Sequence, residues 1–228
     1  MSQSELEAIE FADNPEPRCA CVLLLDVSGS MSGDKINSLN QGLQAFQEDL
    51  KKDELASKRV EIAIVTFGEN VTLVQDFVTA DEFKAPTLVA SGSTPMGQAI
   101  QKSLDMIRER KASYKANEIA YYRPWIFMIT DGEPTDEWEP AAKKVHAEEK
   151  KSSVAFFCVG VDDAEMKILN KISVRAPLRL KGLQFTDMFL WLSKSTQAVS
   201  HSKIGDQTPL TSPMGWAEIL DMIEQKAS

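Results

Sequence analysis

Residues 26–30 read Asp-Val-Ser-Gly-Ser and follow a run of five apolar residues, Cys21 to Leu25. Asp26, Ser28 and Ser30 therefore place oxygen atoms at alternate positions just where an apolar segment stops. Two other segments offer the same chemistry: Thr94 in Ser-Thr-Pro-Met-Gly (93–97), and Asp131 in Thr-Asp-Gly-Glu-Pro-Thr-Asp (130–136). The set amounts to two carboxylates and three hydroxyls. These are hard donors that suit Mg²⁺, Mn²⁺ or Ca²⁺ better than zinc or copper. Two carboxylates balance a divalent charge, and five groups, some acting through water, leave a coordination position for a carboxylate from outside. Taken singly, each segment is also how a chain caps a helix or starts a turn.

The hydrophobic pattern shows how segments so far apart can meet. CACVLLLD (19–26) has the length of a strand and no polar face. After Gly33, the residues Ile36, Leu39, Leu43, Phe46 and Leu50 recur at steps of three and four, which predicts a helix. RVEIAIVTFG (59–68) alternates, and GEN turns it into VTLVQDFV (71–78), which predicts a hairpin. Ala99, Ile100, Leu104 and Ile107 mark a helix behind Thr94. RPWIFMITDG (123–132) is a second buried strand, followed by a polar helix to about Lys151 and a third strand, SVAFFCVGV (153–161). A short helix over 163–172 and a short strand, PLRLKG, come next. A helix over 185–199 then turns Met188, Phe189, Leu192 and Val199 inward.

This alternation predicts an α/β fold: a Rossmann-like, doubly wound, mainly parallel sheet with helices on both faces and one antiparallel edge strand from the hairpin. In such sheets ligands collect at the carboxyl ends of strands, at the point where the strand order reverses. All three oxygen-bearing segments fall at that edge. Their joint occurrence favours an ion over three unrelated caps.

The set DVSGS (26–30), STPMG (93–97) and TDGEPTD (130–136) resembles the metal-ion-dependent adhesion site of von Willebrand factor A domains, and the resemblance extends over residues 18 to 200. RCACVLLLDVSGSM and the GWAEI near the chain's end are most similar to bacterial members of the tellurium-resistance-associated group. The resemblance implies that Ser28, Ser30 and Thr94 bind the metal directly. Asp26 and Asp131 bind it mainly through water, and Asp131 comes closer when Thr94 lets go. It implies Mg²⁺, with Mn²⁺ or Ca²⁺ as alternatives, and a protein partner whose Asp or Glu completes the coordination. A shift of the last domain helix with site occupancy is a further expectation. Around the site, Gly29, Glu133, Asp136 and Trp138 form the expected partner-binding rim, extended by Glu137 and Glu139. Gly29 supplies the tight turn between the serines, and Gly92 and Gly97 flank Thr94. The bacterial relatives are associated with tellurite, metal-stress or phage resistance beside a kinase and a phosphatase. By that likeness this chain is an adaptor or scaffold in a cytoplasmic phospho-signalling system, with such a kinase or phosphatase among its partners.

Composition narrows the alternatives. A 43% hydrophobic content in 228 residues supports a substantial core. The expected division is an extended lead-in at 1–17, a domain at 18–200, and a tail at 201–228 with a short helix through Trp216, Ile219, Leu220 and Ile223. A net charge of −9 disfavours nucleic acid and anionic membranes as partners. No apolar run approaches the ~18 residues of a membrane span, and the acidic first twenty residues do not read as a secretory signal. Cys19, Cys21 and Cys158 read as buried thiols of a reduced, cytoplasmic protein.

Among enzymes, a P-loop lacks its GxxxxGK[ST], and VSGSM lacks the first glycine of a hydrolase elbow. His146 and His201 stand isolated. Phosphotransfer through Asp26 is the nearest enzymatic alternative, yet serine stands at position 28 where a second acid belongs, and no lysine is obviously placed to clamp a phosphoryl group. A metal-handling or metal-sensing subunit is the other alternative. The leading expectation is a binding module, not an enzyme.

Overall fold

Strand β1 (Cys19–Asp26) is buried along its whole length, so each of its faces needs a covering layer. The computed structural model describes residues 9–162 and 164–219, and in it both layers are present. Cys19, Cys21, Leu23 and Leu25 pack with α1 (Asp34–Leu50) and α6 (Phe185–His201). Ala20, Val22 and Leu24 pack with α3 (Met96–Ala116), α4 (Glu139–Lys150) and α5 (Met166–Ile172). Alternation along a strand thus sorts one apolar run into two cores.

The other strands are β2 (Val60–Phe67), β3 (Val71–Thr79), β4 (Trp125–Thr130), β5 (Ala155–Gly160), β6 (Leu178–Leu180) and β7 (Ala217–Ile219). They form a 7-stranded sheet in the order β3-β2-β1-β4-β5-β6-β7. The β2, β1, β4, β5 and β6 pairings are parallel, and β3 joins antiparallel as the hairpin pattern predicts. The chain leaves β1 toward β2 on one side and later places β4 on the other. The order therefore reverses between β1 and β4, which opens a crevice at their carboxyl ends.

Three features depart from the sequence expectations. The sheet has two antiparallel edges, because β7 pairs with β6. The tail is accordingly a short 3₁₀ turn (Pro213–Gly215) and a strand, where a helix through Trp216 was expected. The helical spacing there is real, but a bare β6 edge offers unpaired backbone groups that a following strand satisfies. Lys181 N bonds to Trp216 O at 2.9 Å, and the Trp216 ring lies 5.4 Å from that of Trp191. Leu220 and Ile223 of the expected helix lie outside the described residues. Second, the lead-in is not extended throughout: residues 9–13 are helical and bury Phe11 against Tyr114. Third, an unforeseen helix, α2 (Glu54–Arg59), precedes β2. Among the described residues no helix is long and apolar enough to cross a membrane.

Helices α1 and α6 approach each other closely. A Cβ on Gly42 would lie 2.6 Å from the Phe189 ring and 3.1 Å from the Phe185 backbone, so only glycine permits this approach. That contact sets α1, and with it Lys35 on its first turn, against the carboxyl edge of the sheet.

Candidate metal centre

β1 ends at Asp26, whose side chain is fully buried, and the backbone then folds back on it. Ser28 N donates to Asp26 Oδ1 at 2.8 Å, and Thr130 Oγ1, from the adjacent end of β4, donates to Asp26 Oδ2 at 2.5 Å. Burial pushes the Asp26 carboxyl above its ordinary range, opposed by these hydrogen bonds and reinforced by the Asp131 charge. Nearby positive charge would favour the ionised form.

The serines of 26–30 face the strand's neighbour. Ser28 Oγ lies 3.0 Å from Ser30 Oγ, and Ser30 Oγ donates to Asp131 Oδ1 at 2.7 Å. Asp131 follows β4 directly, as Asp26 closes β1. Thr94 joins them through Gly132: a Cβ there would lie 3.1 Å from Thr94 Oγ1 and 3.7 Å from Asp26 Oδ2. All five expected donors are thus brought to one spot. Ser28, Thr94 and both aspartates are buried, while Gly29 and Ser30 are exposed, so the cluster opens to solvent on the serine side.

Two sets of bonds deliver Thr94. Its backbone N–H donates to Thr135 Oγ1 at 3.1 Å, and Thr135 N donates back to Thr94 O at 2.9 Å. Upstream, Asn40 of α1 clasps both backbone groups of Leu88, at 2.8 and 2.9 Å. Gly92 adopts φ +81, and a Cβ there would meet Glu69 N at 2.3 Å, so the loop passes where only glycine fits. Gly92 O in turn accepts from Gly29 N at 3.0 Å, tying the Thr94 loop to the serine loop.

The expected rim divides. Gly29, between the two serines, and Glu133, two residues after Asp131, are exposed, as are Glu137 and Glu139 further along the chain. Asp136 instead caps α3, accepting from Gly97 N and Gln98 N at 2.9 Å each. Trp138 is half-buried and packs against the core beneath α3 and α4. Asp136 is thus engaged by α3, and part of the Trp138 side chain is committed to the core. Gly29 does not need to be glycine for space, since a Cβ there would stay 3.5 Å from Gly92 O.

One group went unforeseen. Lys35 Nζ lies 2.6 Å from Asp131 Oδ2 and 3.3 Å from Asp162 Oδ2, so a lysine does reach the cluster. Burial alone disfavours its charge, but the bonds and charges of Asp131 and Asp162 outweigh that and raise its pKa. Asp162 follows β5 as Asp26 and Asp131 end or follow their strands, and that repetition was the available signal. Lys35 itself gives none, because only the placement of α1 brings it near.

The donor set fits a hard divalent cation: carboxylate and hydroxyl oxygens, with no sulfur or imidazole. Among the described residues no group of three or more His, Cys, Asp or Glu side chains could hold a metal, so the hydroxyls are integral to any such site.

Residues 21–180 match the family model described as von Willebrand factor type A domain. Solved structures share the architecture. Proximal thread matrix protein 1 from the mussel byssus aligns with TM-score 0.56 and 16% identity over 80% of this chain and 48% of its own. The ArnB paralog VWA2 from Sulfolobus acidocaldarius aligns with TM-score 0.53 and 19% identity, over 78% and 45% respectively. The pilus adhesin SpaC from Lactobacillus rhamnosus GG aligns with TM-score 0.58 and 14% identity, over 80% and 31%. The chain spans less than half the length of each, and at these identities the likeness is one of fold.

Proposed function

This chain belongs to the von Willebrand factor type A domain family, and on that premise we propose that it is a divalent-metal-dependent protein-interaction module. Ser28, Ser30 and Thr94 would hold the ion directly, and Asp26 and Asp131 would hold it mainly through water. Mg²⁺ is the expected ion, and Mn²⁺ or Ca²⁺ suits the same donors. The observation that carries the reading is the meeting of five oxygen-bearing side chains from three distant segments at the β1–β4 crevice. When bound, the ion supplies a Lewis-acidic position to which an Asp or Glu of a partner can coordinate.

The chain's own residues do the rest. Asp26 is locked by Ser28 N and Thr130 Oγ1, so the deepest carboxylate is already oriented. Both of its oxygens are engaged and it is fully buried, which speaks against a phosphoryl-accepting nucleophile. The exposed Glu133 and Glu137 favour a partner that surrounds its acidic residue with basic ones. By likeness to tellurium-resistance-associated bacterial proteins, the partner is a kinase or phosphatase of a cytoplasmic stress or defence system, and this chain is its adaptor.

The test is affinity capture from lysate of the source cell, in Mg²⁺ and again in EDTA, with Thr94→Ala as the matched control. Calorimetric titration of Mg²⁺ and Mn²⁺ into both proteins accompanies it. A partner held only with metal and intact Thr94, and a metal affinity lowered at least tenfold by Thr94→Ala, is the expected result, an estimate from removal of one ligand hydroxyl. A partner retained equally in EDTA would overturn the reading.

A further inference from the structure

Asp131 faces two cations in its working life if it is a metal ligand, and one of them is covalently attached. Lys35 lies on the first turn of α1, with its side chain 24% exposed, and its Nζ reaches Asp131 Oδ2 at 2.6 Å. The other oxygen, Oδ1, takes the Ser30 hydroxyl at 2.7 Å. Each oxygen of the Asp131 carboxylate is therefore already engaged by the chain itself, and a cation that approaches Oδ2 competes with the ammonium for it. The structure also supplies the place to which it can move. Asp162, beyond the end of β5, already lies 3.3 Å from the same Nζ and is 39% exposed. Asp162 has φ +47, a left-handed conformation, and its backbone carbonyl accepts from the Arg179 guanidinium of β6, which holds the backbone that carries this carboxylate.

We infer that Lys35 is a built-in counter-cation of the metal centre, bonded to Asp131 in the metal-free protein and transferred to Asp162 when a divalent ion enters, so that it weakens and thereby sets the site's affinity. This rests on the metal-binding reading above. Two effects act in the same direction. The ammonium must leave Asp131 Oδ2, and, once moved, its charge still repels the ion from across the crevice. Asp162 limits the cost by receiving it. The consequence for function is exchange: a metal held against an internal competitor comes and goes, as an adaptor requires and a metal store does not.

The experiment is calorimetric titration of Mg²⁺, and of Mn²⁺ followed by its electron paramagnetic resonance, into the wild-type chain and four variants, each first shown to melt cooperatively. Lys35→Met keeps the aliphatic stem and should tighten binding on the order of tenfold. Lys35→Arg keeps the charge and should stay near wild type. Asp162→Asn should weaken binding several-fold in the wild-type background, and change it much less in the double variant with Lys35→Met, since no ammonium then needs a new partner. If Lys35→Met binds no more tightly than wild type, or if Lys35→Arg tightens as Lys35→Met does, the assignment of Lys35 is wrong and the metal site stands. An Asp162→Asn effect of equal size in both backgrounds removes the transfer to Asp162. If neither metal binds wild type or Lys35→Met, the metal-binding reading itself has failed.

Discussion

Asp26 and Asp131 occupy equivalent places at the ends of adjacent parallel strands, yet their settings differ. Asp26 is enclosed by Ser28 N and Thr130, and burial raises its pKa. Asp131 faces a hydroxyl and an ammonium at the mouth of the crevice. Burial chiefly decides the chemistry of another residue type. Desolvation pushes the Cys19 thiol up to about 12, and Cys21 and Cys158 higher still. Since the thiolate is the reactive form, none of the three free cysteines should react with an aromatic disulfide reagent in the native protein at mildly alkaline pH. All three should react once denaturant is added. Rapid native labelling at any of them would contradict this burial.

At the scale of elements, the least expected one is α2, which makes the step from α1 into β2. It is only six residues long, too short to persist without help. Asp53 provides that help, accepting from Leu55 N at 3.1 Å and from Ala56 N at 2.8 Å. His201, at the end of α6, lies 2.8 Å from Asp53 Oδ2. Burial by itself would raise the Asp53 pKa, but these bonds and the His201 charge lower it on balance. A folded pKa below the unfolded value contributes stability above the ordinary aspartate range of about 3.9, and loses it as pH falls through the folded value. Asp53→Ala should therefore cost about 1 kcal/mol at neutral pH, as loss of an N-cap does. Urea unfolding of the two proteins should converge in strong acid. A constant difference across pH would mean that the cap's charge is not what matters.

Across the whole molecule, the crevice at the carboxyl edge is balanced by a polar knot at the amino edge. Glu61, fully buried near the start of β2, accepts from Arg18 Nε at 2.8 Å and from Arg110 Nε at 2.9 Å, and also from the Tyr114 hydroxyl. Arg110 reaches on to Glu10 at 2.7 Å and lies over the Phe11 ring, so the knot joins the lead-in, β1, β2 and α3. Removing one partner from such a buried set leaves charge without compensation. Glu61→Gln should lower stability by roughly 3–5 kcal/mol by denaturant unfolding. It should leave the Mg²⁺ affinity of the folded protein unchanged, because β2 separates the knot from the metal centre by the length of a strand. A metal affinity that fell with it would show the two ends to be coupled.

The amino-acid order by itself determined the buried strands and the helices on both faces, and marked out the five oxygen-bearing side chains that meet at the crevice, because periodicity and residue type act over a few neighbours. The Asp53 cap belonged to the same local code, although α2 offered too few turns for a period to emerge. Only the tertiary structure decided that Lys35 meets Asp131 across 96 positions, that Asp136 caps α3 instead of facing a partner, that Trp138 packs inward, and that the tail closes the sheet as β7. Each of these is a choice among several partners of similar chemistry. That choice follows from strand order and helix packing, which bring distant residues within hydrogen-bonding reach and carry no local signature.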